Sequence, residues 1–550
     1  PRYLKVAACA KHYAVHSGPE ALRHEFDARV NQRDLRETYL PAFEALVREA
    51  KVESVMGAYN RTNGEVCCGS PTLLQKILRE EWGFGGHVVS DCWAVRDFFM
   101  HHKIVDTPEE AAALAVKNGC DVNCGNTYPF LGKAVAQGLI DETTIDVSLK
   151  RLFRTRFRLG MFDPPEAVPY AQIPITANDT PEHRRLALEV ALESMVLLKN
   201  DKGALPLAAS VRSIAVVGPN ADDFDVLLGN YSGTPSKAVT PLEGIRTRAS
   251  AGVAVRYAKG CEILGEERHG FAAAIEAARQ SDVVIACMGI SQAVEGEEGP
   301  GRPADRSDIV LPGVQEALLE ALHATGKPLV VVLLNGSALA VNWAQEHAAA
   351  ILEAWYPGEE GGTAIAQVLF GDYNPGGKLP VTFHKSVEQL PDFQDYAMMA
   401  GHTYRFLQAE PLYPFGHGLS YTTFAYSDLV ITPEKGTTDA SVTVRATVKN
   451  TGGRSGDEVV QLYVSDVASQ YPVPIRHLEG FQRIHLAAGE ARQVEFVLMP
   501  AQLAAFDDDG RRIVEPGAFV ISVGGGQPLA GGAPHVSGSV TLSGKAYRPE

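Results

Sequence analysis

"GFGGHVVSDCWAVRDFF", residues 83–99, decides how the N-terminal part of this chain is read. A glycine-rich turn leads into the apolar run His87-Val88-Val89, and the chain emerges on Ser90-Asp91-Cys92-Trp93. A short apolar run bounded by turn residues reads as a buried strand. The carboxylate at its end has two readings. Asp after a strand commonly caps a helix or closes a turn. It can also be a catalytic acid at the mouth of a parallel barrel, where the carboxyl ends of the strands carry the chemistry.

Three similar runs flank it: "YLKVAACAKHY" (3–13), "VESVMGAYN" (52–60) and "GCDVNCG" (119–125). Between the second and third lies "SPTLLQKILREEWGF", with Ser70 as N-cap, Pro71 at the first helical position and a helical stripe of Leu74, Ile77, Leu78 and Trp82. "TPEEAAALAVKNG" carries a capping box, Thr107 with Glu110, and stops at Gly119. "DETTIDVSLKRLFRTRFRLG" is a long helix ending at Gly160. Strands alternating with crossover helices imply a parallel sheet. Four such units occupy residues 1–162, whereas an eight-stranded barrel needs about 250 residues. The segment is therefore expected to be the C-terminal half of a (β/α)8 TIM barrel. The N-terminus begins almost inside a strand, with neither signal peptide nor initiator Met, so further protein is expected upstream of residue 1.

Residues 163–182, within the Pro-rich "FDPPEAVPYAQIPITANDTPE", read as a linker. From 183 to 400 a second α/β series follows, an α/β sandwich with strands "SIAVVGPNA", "VAVRYAKG", "DVVIACMGI", "PLVVVLLNG" and "AAILEAWYPG". "VVGPNAD" lacks the glycine spacing and the Lys of a phosphate loop. A second linker covers 401–424. From 425 to 550 segments such as "ASVTVRATVKNTG" and "ARQVEFVLMP" alternate at period two, the mark of a β-sandwich. The whole is a multidomain α/β protein.

At 550 residues the chain exceeds a single core. Its formal net charge of −16 argues against a nucleic-acid partner, which needs Lys and Arg to neutralise phosphates, and against an anionic membrane surface. The best candidate for a membrane span, "PLVVVLLNG", is one buried strand and far too short to cross a bilayer. Eight cysteines, six of them before residue 125, match neither a disulfide scaffold nor a zinc motif. One or two bridges in an exported protein and buried free thiols are both open.

The polar residues of the first domain stand at strand ends: Lys11 and His12 after the first run, Tyr59 and Asn60 after the second, Asp91 after the third. On consecutive strands of one barrel they converge on one mouth and suit a polyhydroxylated ligand. His12 and His16 have the spacing of a helical metal pair. One lies at a strand end and the other in a loop, no third ligand is in view, and no metal is expected. In the second domain the strand "DVVIACMGI" runs into "GISQAVEGEEGPGRPADRSD", carrying Glu295, Glu297 and Glu298. Acidic loops are usually just solvated. Beside Asp91, this one offers the second carboxylate that glycoside hydrolysis requires.

"KHYAVH", "VMGAYNRTNG", "VVSDCWAV", "ESMVLLKND" with "GALPL", "YPGEEGGTAIAQVLFGDYNPGGKLPVTF" and "YPFGHGLSY" resemble the landmarks of glycoside hydrolase family 3, in the family's order and over almost the whole chain. The resemblance implies a (β/α)8 barrel, an α/β sandwich and a fibronectin type III-like domain. It implies Asp91 as nucleophile, Lys11 and His12 as the pair that binds sugar hydroxyls, and Tyr59 beside the nucleophile. It also implies an acid/base in the acidic loop: Glu297 first, Glu298 next, Glu295 third. Sugar-binding groups that the family draws from the first half of the barrel, an acidic residue and an arginine, would have to come from outside this chain.

Ser-Asp-Cys at 90–92, with "GCDVNCG" and "SGPEALRHEFDARV", resembles the β-xylosidase branch of that family. Cys92 and Cys124 end neighbouring strands, which suits a bridge between them. With Trp93 they are expected to line the sugar site, and the two cysteines to crowd the space of a hexose hydroxymethyl. The resemblance thus implies a secreted or periplasmic retaining exo-β-glycosidase that needs no cofactor, most of all a β-D-xylosidase acting on the non-reducing ends of xylo-oligosaccharides. A β-glucosidase is the alternative within the family, a non-catalytic carbohydrate-binding fragment the alternative outside it, and a homodimer is open as the state of assembly.

Overall fold

The computed structural model describes residues 2–16, 18–295 and 305–549. The chain divides into two compact units. The first comprises Pro1–Ala177 with Asp392–Ala400 and Phe506–Arg511, and the remainder forms the second.

In the first unit the strands Cys9–Tyr13, Ser54–Gly57 and His87–Ser90 run parallel in that order. A single parallel bridge, Val89 to Val122, adds the fourth predicted run. Val55 and Val88 face each other in register and are fully buried, as expected of strands covered on both faces. The crossover helices start where their caps predict. Ser70 Oγ accepts from Leu73 N at 2.9 Å, and Thr107 and Glu110 form their capping box. The helix Pro71–Glu81 buries Leu73, Leu74, Ile77 and Leu78 but is wound as a π-helix, ending with Trp82 N on Ile77 O. Apolar periodicity did not reveal this wider winding, because the same residues still fall on one face. Glu142–Arg158 ends before Gly160, whose φ of +75° only glycine adopts cheaply.

The second unit holds a six-stranded sheet in the order Val196–Asn200, Ala350–Glu353, Leu329–Leu334, Val283–Gly289, Ser213–Val217, Ala254–Ala258. Five strands are parallel, and Val196–Asn200 joins the edge antiparallel to Ala350–Glu353. That sixth strand escapes the sequence reading because it continues, after one residue, from the apolar stripe of helix Pro181–Ser194. The two central strands, Val283–Gly289 and Leu329–Leu334, are buried along their whole length, which explains their unbroken apolar sequences. The C-terminal strands form a three-stranded and a five-stranded sheet. Val442, Val444, Ala446 and Val448 of one sheet share a core with Val460, Leu462, Val464, Phe519, Ile521 and Val523 of the other, the product of strict alternation.

Candidate active site

Asp91 opens a turn, its main-chain carbonyl accepting from Ala94 N at 3.2 Å, but it does not cap a helix through its side chain. The helix that follows, Ala94–Met100, has Trp93 as its N-cap and takes no side-chain cap, so the Asp91 carboxylate is not spent on that helix. Its backbone N–H donates to Gly57 O at 3.0 Å on the neighbouring strand. Its Oδ1 accepts from Cys92 N at 2.8 Å, and Oδ2 lies 3.3 Å from His12 Nε2. Asp91 is 9% exposed, enough to meet a ligand yet held by two fixed groups.

His12 stands at the end of the first strand next to the exposed Lys11, and the peptide between them is cis. From His12 an aromatic chain leads to the end of the second strand: His12 to His16 at 5.0 Å and His16 to Tyr59 at 6.3 Å between ring centroids. Tyr59 is buried. Asp91, His12 and Tyr59 therefore come together at the carboxyl ends of three adjacent parallel strands, the end of such sheets where ligands bind. Asn60, also at this end, is spent on structure, its amide donating to Val15 O and Arg61 O.

Cys92 and Cys124 are joined in a disulfide with Cα atoms 4.4 Å apart. Trp93 N donates to Cys124 O at 2.7 Å, and Trp93 sits in the left-handed region at φ 72°. Gly125 fits against it: at φ +143°, a Cβ there would stand 3.3 Å from the indole. The Trp93 side chain stays largely exposed, with the Arg96 guanidinium over its ring. The other six cysteines are free, and five are buried. Burial pushes the Cys67 and Cys261 thiols up to about 11 and Cys287 up to about 12, which makes them packing groups and not nucleophiles. The bridge joins the two cysteines whose places at the ends of neighbouring strands suit it.

Of the three candidate glutamates in the acidic loop, Glu297 and Glu298 lie outside the described residues. Glu295 ends the short helix Gln292–Glu295, and both its oxygens are occupied. Oε1 accepts from Ser337 Oγ at 2.5 Å and Oε2 from the Tyr356 hydroxyl at 2.7 Å. Burial, and then the bond to Glu295, raises the Tyr356 phenol well above its ordinary value, so it remains a donor. Among the described residues no group of three or more His, Cys, Asp or Glu is arranged to hold a metal ion.

Behind Glu295, Glu353 is wholly buried, and burial pushes its carboxyl up to about 8 against the pull of the Trp355 N–H and the Asn335 amide. Between about pH 4.5 and pH 8 the folded chain thus keeps a proton that the unfolded chain releases. Stability must fall as pH rises through that window. Glu353→Gln is expected to flatten the decline of the thermal midpoint between about pH 5 and pH 8. An equally steep decline in the variant would show that Glu353 is not the group responsible.

Four residues that no motif picks out lie at or behind Tyr59: His24 and His102 contact it, and Asp97 and His101 stand against His24. His24 Nδ1 meets Asp97 Oδ2 at 2.7 Å, and His102 Nε2 donates to Tyr59 O at 2.9 Å. The available signal was an acidic residue on the buried face of the helix after Asp91.

The profile of the glycosyl hydrolase family 3 N terminal domain matches residues 2–155 and that of its C-terminal domain residues 195–421. A fibronectin type III-like domain matches 458–527. A β-xylosidase of Formosa agariphila is 40% identical over 94% of this chain and 74% of its own length. A periplasmic β-glucosidase of Salmonella typhimurium is 36% identical over 94% and 72%. Among solved structures, a family 3 exo-β-xylosidase in complex with a xylobiose aziridine activity-based probe superposes with a TM-score of 0.90 at 31% identity, covering 100% of this chain and 74% of its own.

Proposed function

Because this chain belongs to glycoside hydrolase family 3 and is an exo-acting glycosidase, we propose that it is a retaining β-D-xylosidase releasing xylose from the non-reducing ends of xylo-oligosaccharides. The observation that carries this is the Asp91 carboxylate, uncommitted to its helix, held by Cys92 N–H and His12, beside a disulfide. Asp91 attacks the anomeric carbon while an acid in the 295–298 loop gives its proton to the leaving oxygen. The glycosyl ester is then cleaved by water, whose proton returns to the same loop carboxylate. Lys11 and His12 bind sugar hydroxyls, and Tyr59 lies beside the nucleophile.

Glu297 is the acid/base of choice because Glu295 already serves Ser337 and Tyr356 with both oxygens. The disulfide favours an oxidising compartment, so the protein is secreted or periplasmic. The charge of −16 speaks against a nucleic-acid partner, and no described helix is long and apolar enough to cross a membrane.

The β-glucosidase alternative is supported by the similarity to the Salmonella enzyme. The two are separated by hydrolysis of matched aryl β-D-xyloside and β-D-glucoside. We expect the xyloside to be preferred by kcat/KM, with the Cys92–Cys124 bridge and Trp93 crowding the position of a hexose hydroxymethyl. Replacing both cysteines by Ala should narrow the preference by about 10-fold, the scale of a small steric change in a pocket. An unchanged ratio in a folded variant would remove the bridge from the specificity argument. A glucoside preference in the wild type would overturn the substrate assignment itself.

A further inference from the structure

Tyr59 is enclosed by groups that its role at the nucleophile does not by itself explain. The His24 ring stands edge-to-face against it, centroids 5.0 Å apart and planes at 77°. The Arg23 guanidinium lies 5.5 Å from the Tyr59 ring centre, and Arg23 is itself tied to Glu20 by three hydrogen bonds. His102 Nε2 donates to the Tyr59 carbonyl.

Two of these contacts trace back to one residue. Asp97 Oδ2 accepts from His24 Nδ1 at 2.7 Å, and the Asp97 main-chain carbonyl accepts from His102 N at 2.7 Å. The Asp97 side chain is wholly shielded from solvent. Its Oδ1 stands 3.8 Å from His101 Nε2 and has no hydrogen-bond partner among the described residues. A buried carboxylate is costly unless a partner compensates it, and here it is kept with one short bond, to a ring that touches Tyr59. Asp97 also lies on the helix that Asp91 leads into. The pair therefore ties the segment carrying the nucleophile to the ring beside it.

We infer that His24 and Asp97 are a positioning pair for Tyr59: Asp97 orients the His24 imidazole, and the imidazole edge sets the tilt of the phenol relative to Asp91. The inference rests on the proposed role of Tyr59 and extends it by naming what orients that residue. Neither His24 nor Asp97 needs to touch substrate. Their effect passes through Tyr59, so it must vanish when the phenol hydroxyl is absent.

A double-mutant cycle tests this. Wild type, His24→Asn, Tyr59→Phe and the double variant are compared on an aryl β-D-xyloside and on xylobiose, with thermal midpoints alongside. His24→Asn keeps an amide donor for Asp97 and deletes the ring edge. It is expected to lower kcat/KM by about 10- to 100-fold, chiefly in kcat, as a misplacement of about 1 Å does. In the Tyr59→Phe background the same change should cost less than about twofold. Losses that multiply, a silent His24→Asn or a silent Tyr59→Phe would each overturn the inference. Asp97→Asn, whose amide oxygen still accepts from His24, gives a second route; a smaller loss is expected that likewise disappears with Tyr59→Phe. An Asp91→Asn control keeps the two levels apart. If that control retains wild-type turnover, the reading of the site fails and the pair with it; if it is dead while His24→Asn is silent, only the pair fails.

Discussion

Replacing Asp91 by Asn is expected to reduce turnover of an aryl β-D-xyloside by on the order of 10⁴-fold or more, the range seen when a covalent nucleophile is removed. The amide is nearly isosteric with the carboxylate, so the acceptor for Cys92 N–H survives and the fold should hold. What disappears is the negative oxygen that forms the glycosyl ester and that stands 3.3 Å from His12 Nε2. Two readouts make the result specific. The thermal midpoint should move by no more than a few degrees, because Asp91 caps no helix. A xylose-configured aziridine probe should add its mass to the wild type, on the peptide containing Asp91, and leave the variant unlabelled. Residual activity above about one hundredth of wild type, or label on another carboxylate, would move the nucleophile elsewhere.

The second large effect is expected at the acid/base. Glu297→Ala should lower turnover of xylobiose by about 10²- to 10⁴-fold, the usual worth of a general acid. Formation of the glycosyl-enzyme from an aryl xyloside whose leaving group needs no proton should suffer far less, and added azide should speed its breakdown by replacing water as nucleophile. That dependence on the leaving group distinguishes a lost acid from a damaged fold. Glu295→Gln makes the contrast. Glu295 is bonded by Ser337 and Tyr356, so its replacement should lower stability and leave the leaving-group dependence as in wild type. If Glu298→Ala shows the dependence and Glu297→Ala does not, the role passes one residue along the loop.

Much of this was legible in the residues because it is local. The caps at Ser70 and Thr107 bind backbone groups three residues away, so a single turn of helix contains all the information. The period-two alternation of Val442, Val444, Ala446 and Val448 likewise records one strand and the face it buries. Asp91 stood out because a carboxylate closing a buried run is conspicuous in any window of ten residues. The strand Val196–Asn200 did not stand out, since its apolar residues extend the stripe of the helix before it.

The alternation of strands and helices, the change to an all-β pattern near residue 425 and the residues that end each strand can all be read from the chain. Which distant side chains contact those residues depends on the tertiary structure. It occupied both oxygens of Glu295 with Ser337 and Tyr356, and placed His24 between Tyr59 and an aspartate 73 residues away. The physical reason is range. Propensity, capping and periodicity act within about one turn or one strand, whereas these contacts exist only after parallel strands have aligned their carboxyl ends and brought distant loops to a single face.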